Sequence, residues 1–285
     1  MFFKEWEVLL VDDEPDVLQV SRLAMRHFEV YGLPLRLHTA KSKAEALQVF
    51  ANSPAQMPAI AVAFIDVVME TDHAGLDLCQ ALREEHKNRV TQLFVRTGQP
   101  GMAPERTVLD RYDINGYFTK VEATEDKLYS LVKSGVRQYL WNVAALGSTL
   151  MLKNAIEAGD DQAALMDAVR KTWQSVHFVG DAPAENRNIQ AGIFIGDQLV
   201  GNRGLSAEQV EKLRQRLSSI KGTPLSPEGD SYAQDGNTLL IRVPLGPLPG
   251  GLAFVAQTTF APPESVVVLY HHVLKGLATL MQRAK

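Results

Sequence analysis

Cysteine is all but missing: Cys79 is the only one in 285 residues. That excludes an intrachain disulfide and a cysteine-based zinc cluster, and it fits a reducing cytoplasm. No run approaches the roughly 18 consecutive apolar residues that a membrane span needs. The opening stretch, Met1-Phe-Phe-Lys-Glu-Trp-Glu7, lacks the basic region, apolar core and cleavage site of a secretory signal, so none is expected. Positive charge is not in excess either. The net charge of −4 gives no global field for nucleic acid, and no helix-turn-helix pattern with a basic recognition face is present. Internal repeats and low-complexity segments are absent. The remainder is an ordinary globular composition, 46% hydrophobic, at a length that suits two domains.

Four apolar runs stand out because each ends in a residue able to do chemistry. Val8-Leu-Leu-Val11 ends in Asp12 and Asp13, and Ile60-Ala-Val-Ala-Phe-Ile65 ends in Asp66. Gln92-Leu-Phe-Val-Arg96 ends in Thr97-Gly98, and Gly116-Tyr-Phe-Thr119 ends in Lys120. In an open parallel sheet the carboxyl ends of the strands share one crevice, where such folds bind ligands. Three carboxylates, a hydroxyl and an amine there suit Mg2+-dependent phosphoryl transfer to a carboxylate. Taken singly, each has a plainer explanation. Acids before Pro15 favour a helix N-terminus, Thr97-Gly98 is a turn, and Lys120 is a solvated charge. Independent capping does not predict all four strand ends together.

Between these runs, helix signals alternate with strand signals over residues 7–140. Helices are expected over Pro15–Phe28, Lys43–Ala51, Leu76–Glu85 and Pro104–Arg111, with a short strand at Leu35–His38. Five βα units argue for a doubly wound, five-stranded parallel sheet. From Glu125 to about Ala158 there is no proline, and Val132, Val136, Tyr139, Val143, Leu146 and Leu150 make a heptad-like seam. A continuous helix there would span about 50 Å; two helices with a kink are the alternative. Beyond it, Asp160 and Asp161 can cap a helix to about Val176. Gly196-Asp197 suits a hairpin turn between Ile189–Ile195 and Gln198–Val200. Ser206-Ala-Glu-Gln209 reads as a capping box. Residues 222–236 read as loop, Leu239–Val243 and Leu252–Gln257 as strands, and the stretch after Pro263 as a helix, making an α+β domain.

Val11-Asp-Asp-Glu-Pro15, Ile65-Asp-Val-Val-Met69, Arg96-Thr-Gly98 and Thr119-Lys120, in that order, resemble the CheY-like receiver domain of bacterial response regulators. Asp66-Val-Val-Met-Glu-Thr-Asp-His-Ala-Gly-Leu76 and Arg96-Thr-Gly-Gln-Pro-Gly-Met-Ala-Pro-Glu-Arg106 narrow the likeness to one subgroup. There a flavodoxin-like receiver is followed by an uncharacterised GAF-like domain, and often by a cyclic-di-GMP output domain. The resemblance implies a receiver over 1–141, a connecting helix over 142–158 and a GAF-like α+β domain over 159–285. It implies a sensor histidine kinase or phosphotransfer protein as partner, a homodimer, and a cyclic-di-GMP output domain or partner. No GGDEF, EAL or HD-GYP string occurs, so a phosphoacceptor is expected rather than an enzyme. The chain's stop at Lys285 is compatible with truncation before an output domain.

The chemistry assigns roles. Asp66 attacks phosphorus and becomes an aspartyl phosphate. Asp13 and Asp66 are the expected direct Mg2+ ligands, with the Val68 backbone carbonyl as a third, and Asp12 ligates through water or holds charge. Lys120 pairs with a phosphoryl oxygen and Thr97 donates to another. An aromatic residue, Tyr117 or Phe118, moves with Thr97. Three positions depart from the usual receiver. Val121 stands where proline follows the lysine, and a cis bond there would cost roughly 3 kcal/mol. Glu70 stands where proline often follows Met69. Apolar Val68 cannot orient an attacking water, which predicts a long-lived phosphoryl group and argues against a phosphatase of this fold. Cys79 is expected to pack, and His73, His177, His271 and His272 are expected to be structural or solvated rather than metal-binding. The alternative function is a small-molecule sensor or dimerisation module with a vestigial receiver.

Overall fold

A computed structural model describes residues 5–51, 59–98, 105–175, 190–217, 222–227, 229–235, 238–246, 248–257 and 263–284. The chain divides into two compact units, one ending at Val143 and one beginning at Ala144.

The first unit opens with β1 (Trp6–Val11), α1 (Pro15–Met25), β2 (Glu29–Val30) and β3 (Leu33–Ala40). It continues with α2 (Lys43–Ala51), β4 (Ile60–Asp66), α3 (Ala74–Gln80), β5 (Gln92–Thr97), α4 (Glu105–Tyr112) and β6 (Gly116–Thr119). The sheet order is β2-β3-β1-β4-β5-β6, with β3, β1, β4, β5 and β6 mutually parallel. Counting only the parallel strands, this is the 2-1-3-4-5 order of the flavodoxin-like doubly wound fold. The expected five strands are all present. The short antiparallel β2, paired through Glu29↔Pro34 and Val30↔Leu33, is an addition. Every residue of β4 is buried, as a strand covered on both faces requires. Strand register sets the level of the crevice: Val11 pairs with Ile65, Asp66 with Arg96, and Thr97 with Thr119.

The helix expected over Leu76–Glu85 changes character midway, since Ala81–Glu85 is a π-helical turn. Arg83 in that turn is buried and donates to the carbonyls of Asp113, Asn88 and Thr91 at 2.9, 2.6 and 3.0 Å. It thus fixes the loop that leads into β5. The start of the helix expected at Pro104, and the motif residues 99–103, lie outside the described residues.

The next helix, α5, runs without interruption from Glu125 to Glu157. Val132, Val136, Tyr139 and Val143 are buried, whereas Leu146 and Leu150 are 46% and 38% exposed. The seam therefore divides, its first four members packing and its last two facing outward. Gly135 lets the helix approach the sheet, since a Cβ there would lie 2.7 Å from a Val62 methyl.

The second unit contains α6 (Gln162–Ser175), β7 (Gln190–Ile195), β8 (Gln198–Arg203), α7 (Ala207–Leu217) and β9 (Thr223–Pro224). Strands β10 (Ser231–Asp235), β11 (Thr238–Leu245) and β12 (Leu248–Gln257) and helix α8 (Glu264–Arg283) complete it. Its sheet is antiparallel in the order β8-β7-β12-β11-β10-β9, an α+β arrangement consistent with the GAF-like class. Alternate residues of β11 and β12 face two cores. Leu239, Ile241, Leu252 and Phe254 meet α8 residues Leu274 and Leu277; Leu240, Ala253 and Val255 meet α7 residues Leu213 and Leu217. The capping box at Ser206 is present in both directions, with bonds of 2.8 and 3.2 Å to Gln209. Gly196 takes φ +61° at the hairpin between β7 and β8. The loop expected over 222–236 instead carries β9 and β10. The two-residue edge strand β9 and the largely polar β10, Ser-Tyr-Ala-Gln-Asp, leave almost no hydrophobic signature. His177 lies outside the described residues. Among the described residues, no helix is long and apolar enough to cross a membrane.

Candidate functional site

Asp12, Asp13, Asp66 and Lys120 meet at the carboxyl edge of the parallel sheet. Strands β1 and β4 deliver the acids, because Asp12 directly follows β1 and Asp66 ends β4. One carboxylate oxygen from each of Asp12, Asp13 and Asp66 lies within 4.8 Å of the other two. Asp12 and Asp66 are buried; Asp13 is exposed at the mouth. Lys120 Nζ stands 2.8 Å from Asp66 Oδ2, 3.1 Å from Asp12 Oδ2 and 2.7 Å from Glu14 Oε1. The lysine bridges all three without a cis bond, because no described peptide is cis. Instead Lys120–Glu122 forms a 3-10 turn, capped reciprocally by the Thr119 hydroxyl and the Glu122 carboxylate. Val121 is 92% exposed in that turn, so replacing proline there costs no packing.

The electrostatics arise from this crowding. Burial raises the Asp66 carboxyl above its ordinary range; the Lys120 hydrogen bond pulls it down, and the Asp12 charge pushes it further up. Burial works against the Lys120 charge, but its bonds to Asp66 and Glu14 outweigh that and hold the ammonium above its usual range. Glu14 is held below its usual range, chiefly by its hydrogen bond from Lys120.

The donor set fits Mg2+, which takes oxygen ligands, uses one or two carboxylates and keeps several waters. Asp66 Oδ1 is buried with no hydrogen-bond partner among the described residues, the kind of orphan acceptor a cation would satisfy. Val68 lies half-buried two residues past Asp66. Thr97 is buried at the end of β5, level with Thr119. Tyr117 is half-buried, while Phe118 is buried edge-on against Phe64 at 6.1 Å, which leaves Tyr117 the more exposed of the two aromatics. Glu70 turns its carboxylate to the Lys43 amide at 2.9 Å and ties the loop after Asp66 to the start of α2.

Two residues at the site were given no role by sequence reasoning. Arg96 is buried beneath the acids, with Nη2 3.0 Å from Asp12 Oδ2 and Nη1 donating to Ser21 Oγ at 2.9 Å. The Asp12 contact is close enough for an ion pair, although its angle falls short of a hydrogen bond. A charged residue inside an otherwise apolar strand was the available signal. Gly75 packs so tightly against the end of β4 that a Cβ would clash with the Asp66 carbonyl oxygen.

Other singled-out residues lie elsewhere. Cys79 is fully buried, and burial pushes its thiol up to about 12. His73 is exposed. His271 is buried and bonds Asp230 at 2.8 Å, while its neighbour His272 faces solvent.

No family model matches the chain. A curated protein, 3'3'-cGAMP-specific phosphodiesterase 2 of Vibrio cholerae, is 44% identical over 153 residues. That stretch is 54% of this chain but only 28% of the phosphodiesterase. Among solved structures, the receiver domain of an HD domain-containing protein from Pseudomonas fluorescens aligns at 18% identity with a TM-score of 0.41. The alignment covers 50% of this chain and 94% of that one. A response regulator receiver domain protein from Clostridium thermocellum aligns at 19% identity with a TM-score of 0.39, over 47% of this chain and 95% of that one. The expectation that no enzyme is involved is corrected by the first of these, because that relative is an enzyme. The missing catalytic strings speak only for these 285 residues, whereas most of the relative lies outside the matched stretch.

Proposed function

We propose that the CheY-like receiver formed by the first half of this chain accepts a phosphoryl group on Asp66 from a histidine kinase or phosphotransfer protein. The observation that carries this reading is the meeting of three carboxylates with Lys120 Nζ 2.8 Å from Asp66, in the crevice at the strand ends. A carboxylate and a phosphoryl group repel each other, and Mg2+, when bound, supplies the charge that offsets this. Asp13, Asp66 and the Val68 carbonyl would hold the ion. One Asp66 oxygen forms the bond to phosphorus as the phosphorus–nitrogen bond of the donor breaks, and the imidazole leaves with that electron pair. Lys120 is already beside Asp66, and it exchanges carboxylate contacts for a phosphoryl oxygen as the group arrives. Thr97 donates to another oxygen, and Tyr117 moves with it. New charge then biases a two-state element.

The division into receiver, connecting helix over 142–158 and GAF-like domain over 159–285 gives the change a route through α5. The chain acts in the cytoplasm as a homodimer, and Leu146 and Leu150, exposed on α5, are suited to that contact. Its output belongs to cyclic-dinucleotide signalling: the curated relative is named for hydrolysing 3'3'-cGAMP, and the enzymatic part lies in the same polypeptide or in a partner.

Incubation with Mg2+ and acetyl phosphate tests the reading. Wild type is expected to gain one phosphoryl group, with a lifetime well beyond seconds, and Asp66→Ala none. Size measurement with beryllium fluoride then asks whether phosphorylation controls dimerisation. No labelling at saturating donor and Mg2+ would sink the proposal.

A further inference from the structure

We infer that Arg96 is a positioning residue that keeps Asp12 out of the metal's ligand set, leaving Asp13 and Asp66 as the two carboxylates that grip the ion. This deepens the proposed function and rests on its placement of the metal.

The Asp12 carboxylate is fully buried and each of its oxygens faces a cation, although Oδ2 accepts no hydrogen bond among the described residues. Oδ1 accepts the Glu14 amide at 3.0 Å and faces Lys120 Nζ at 3.4 Å. Oδ2 faces Arg96 Nη2 at 3.0 Å and Lys120 Nζ at 3.1 Å. The lysine is shared with Asp66 and Glu14 and can leave when a phosphoryl oxygen competes for it. The arginine has no such alternative. Its guanidinium is 2% exposed, and its second arm is anchored to Ser21 on α1. Arg96 and Asp66 are register partners on adjacent strands, so the anchor sits directly beside the phosphoacceptor. A rigid planar fork held at both ends cannot swing away as a lysine can.

A cation in this pocket meets two effects. Asp12 contributes fixed charge, and its Oδ2 is held by ion pairing against Arg96 rather than turned to the ion. Arg96 also places a positive charge next to the ion, which weakens its binding. A pocket with Asp12, Asp13 and Asp66 against Lys120 alone would hold a divalent ion more tightly. Weaker binding lets the metal exchange and keeps occupancy dependent on its concentration.

Mn2+ binding to the unphosphorylated 285-residue chain, followed by the free-ion electron paramagnetic resonance signal, tests this directly. Arg96→Met is expected to tighten Mn2+ binding by at least about fivefold, since it removes a charge of like sign from the ion's surroundings and frees Asp12 Oδ2. A merely structural arginine would give weaker binding on removal. Unchanged or weaker binding by Arg96→Met overturns the inference. If that variant does not fold, the double variant Asp12→Asn with Arg96→Met removes both members of the buried pair and leaves no uncompensated charge. It is expected to bind Mn2+ within about threefold of wild type, because the net charge is unchanged and no ligand is lost. A greater loss shows Asp12 to be a ligand and overturns the inference. Absence of Mn2+ binding by all three proteins removes the metal site itself. Failure of acetyl phosphate labelling alongside the expected Mn2+ results strikes the phosphoacceptor reading alone.

Discussion

A side chain at Gly75 has nowhere to go. Its Cβ would meet the Asp66 carbonyl oxygen at 1.8 Å and the Asp66 carbonyl carbon at 2.7 Å, both backbone atoms that cannot rotate away. The Gly75 amide also donates to the Val67 carbonyl at 3.1 Å, so the start of α3 and the end of β4 are clamped together. Gly75→Ala is therefore expected to destabilise the receiver by about 2 kcal/mol or more. Where it still folds, it should lose most acetyl phosphate labelling, because the Asp66 backbone must shift. A urea midpoint and labelling yield matching wild type would show that the junction can relax. At this scale the pocket was legible in part. Asp12, Asp13, Asp66 and Lys120 are found together because each ends an apolar run, and the parallel pairing of those strands places their ends side by side. Arg96 and Gly75 were not legible as participants. Their roles depend on a partner across the sheet and on a close backbone approach; a charge inside an apolar strand marked Arg96 as unusual without showing its partner, and Gly75 left no local pattern.

Helix α8 was legible as a helix, and its buried stripe of Val266, Val273, Leu274 and Leu277 has helical periodicity. Its polar contact was not. Asp230, just before β10, is buried and accepts from His271 Nε2 at 2.8 Å and Lys275 Nζ at 3.0 Å, both on α8. These bonds pin the irregular segment between β9 and β10, which explains how a stretch rich in Gly, Pro and Ser supports those strands at all. Burial would raise the Asp230 carboxyl, but the bonds from His271 and Lys275 win and hold it below the usual range. A depressed carboxylate stabilises the fold fully above its unfolded value near about pH 4, and that contribution is lost as pH falls through the lower folded value. Asp230→Asn is expected to cost about 1–3 kcal/mol at neutral pH, and to flatten the decline in stability below about pH 4. Thermal melts across that range decide it; parallel declines in wild type and variant would exclude Asp230 as the titrating group. The π-helical turn Ala81–Glu85 was likewise invisible to periodicity, since one extra residue in a turn barely disturbs an apolar stripe.

At the scale of the whole molecule, the change from parallel to antiparallel sheet was legible, because the first half alternates strand and helix while the second pairs strands through short turns. The fate of the long helix was not, since glycines at 135 and 147 permit either a kink or continuity, and tertiary packing decides. Helix α5 is continuous, and it supplies Val132, Val136 and Val143 to the first unit's interior and Met151 and Ala155 to the second's. An α-helix turns about 100° per residue, so two residues inserted between Val143 and Met151 rotate the downstream chain by about 200°, whereas seven restore the phase to within about 20°. If phosphorylation is relayed through α5, the two-residue insertion should abolish any effect of beryllium fluoride on oligomeric state, and the seven-residue insertion should recover it. Equal responses from both would rule out a relay by this helix. The connecting stretch can then lengthen without loss of signal only by near-whole numbers of helical turns, about 7, 11 or 18 residues, a reading frame set by geometry.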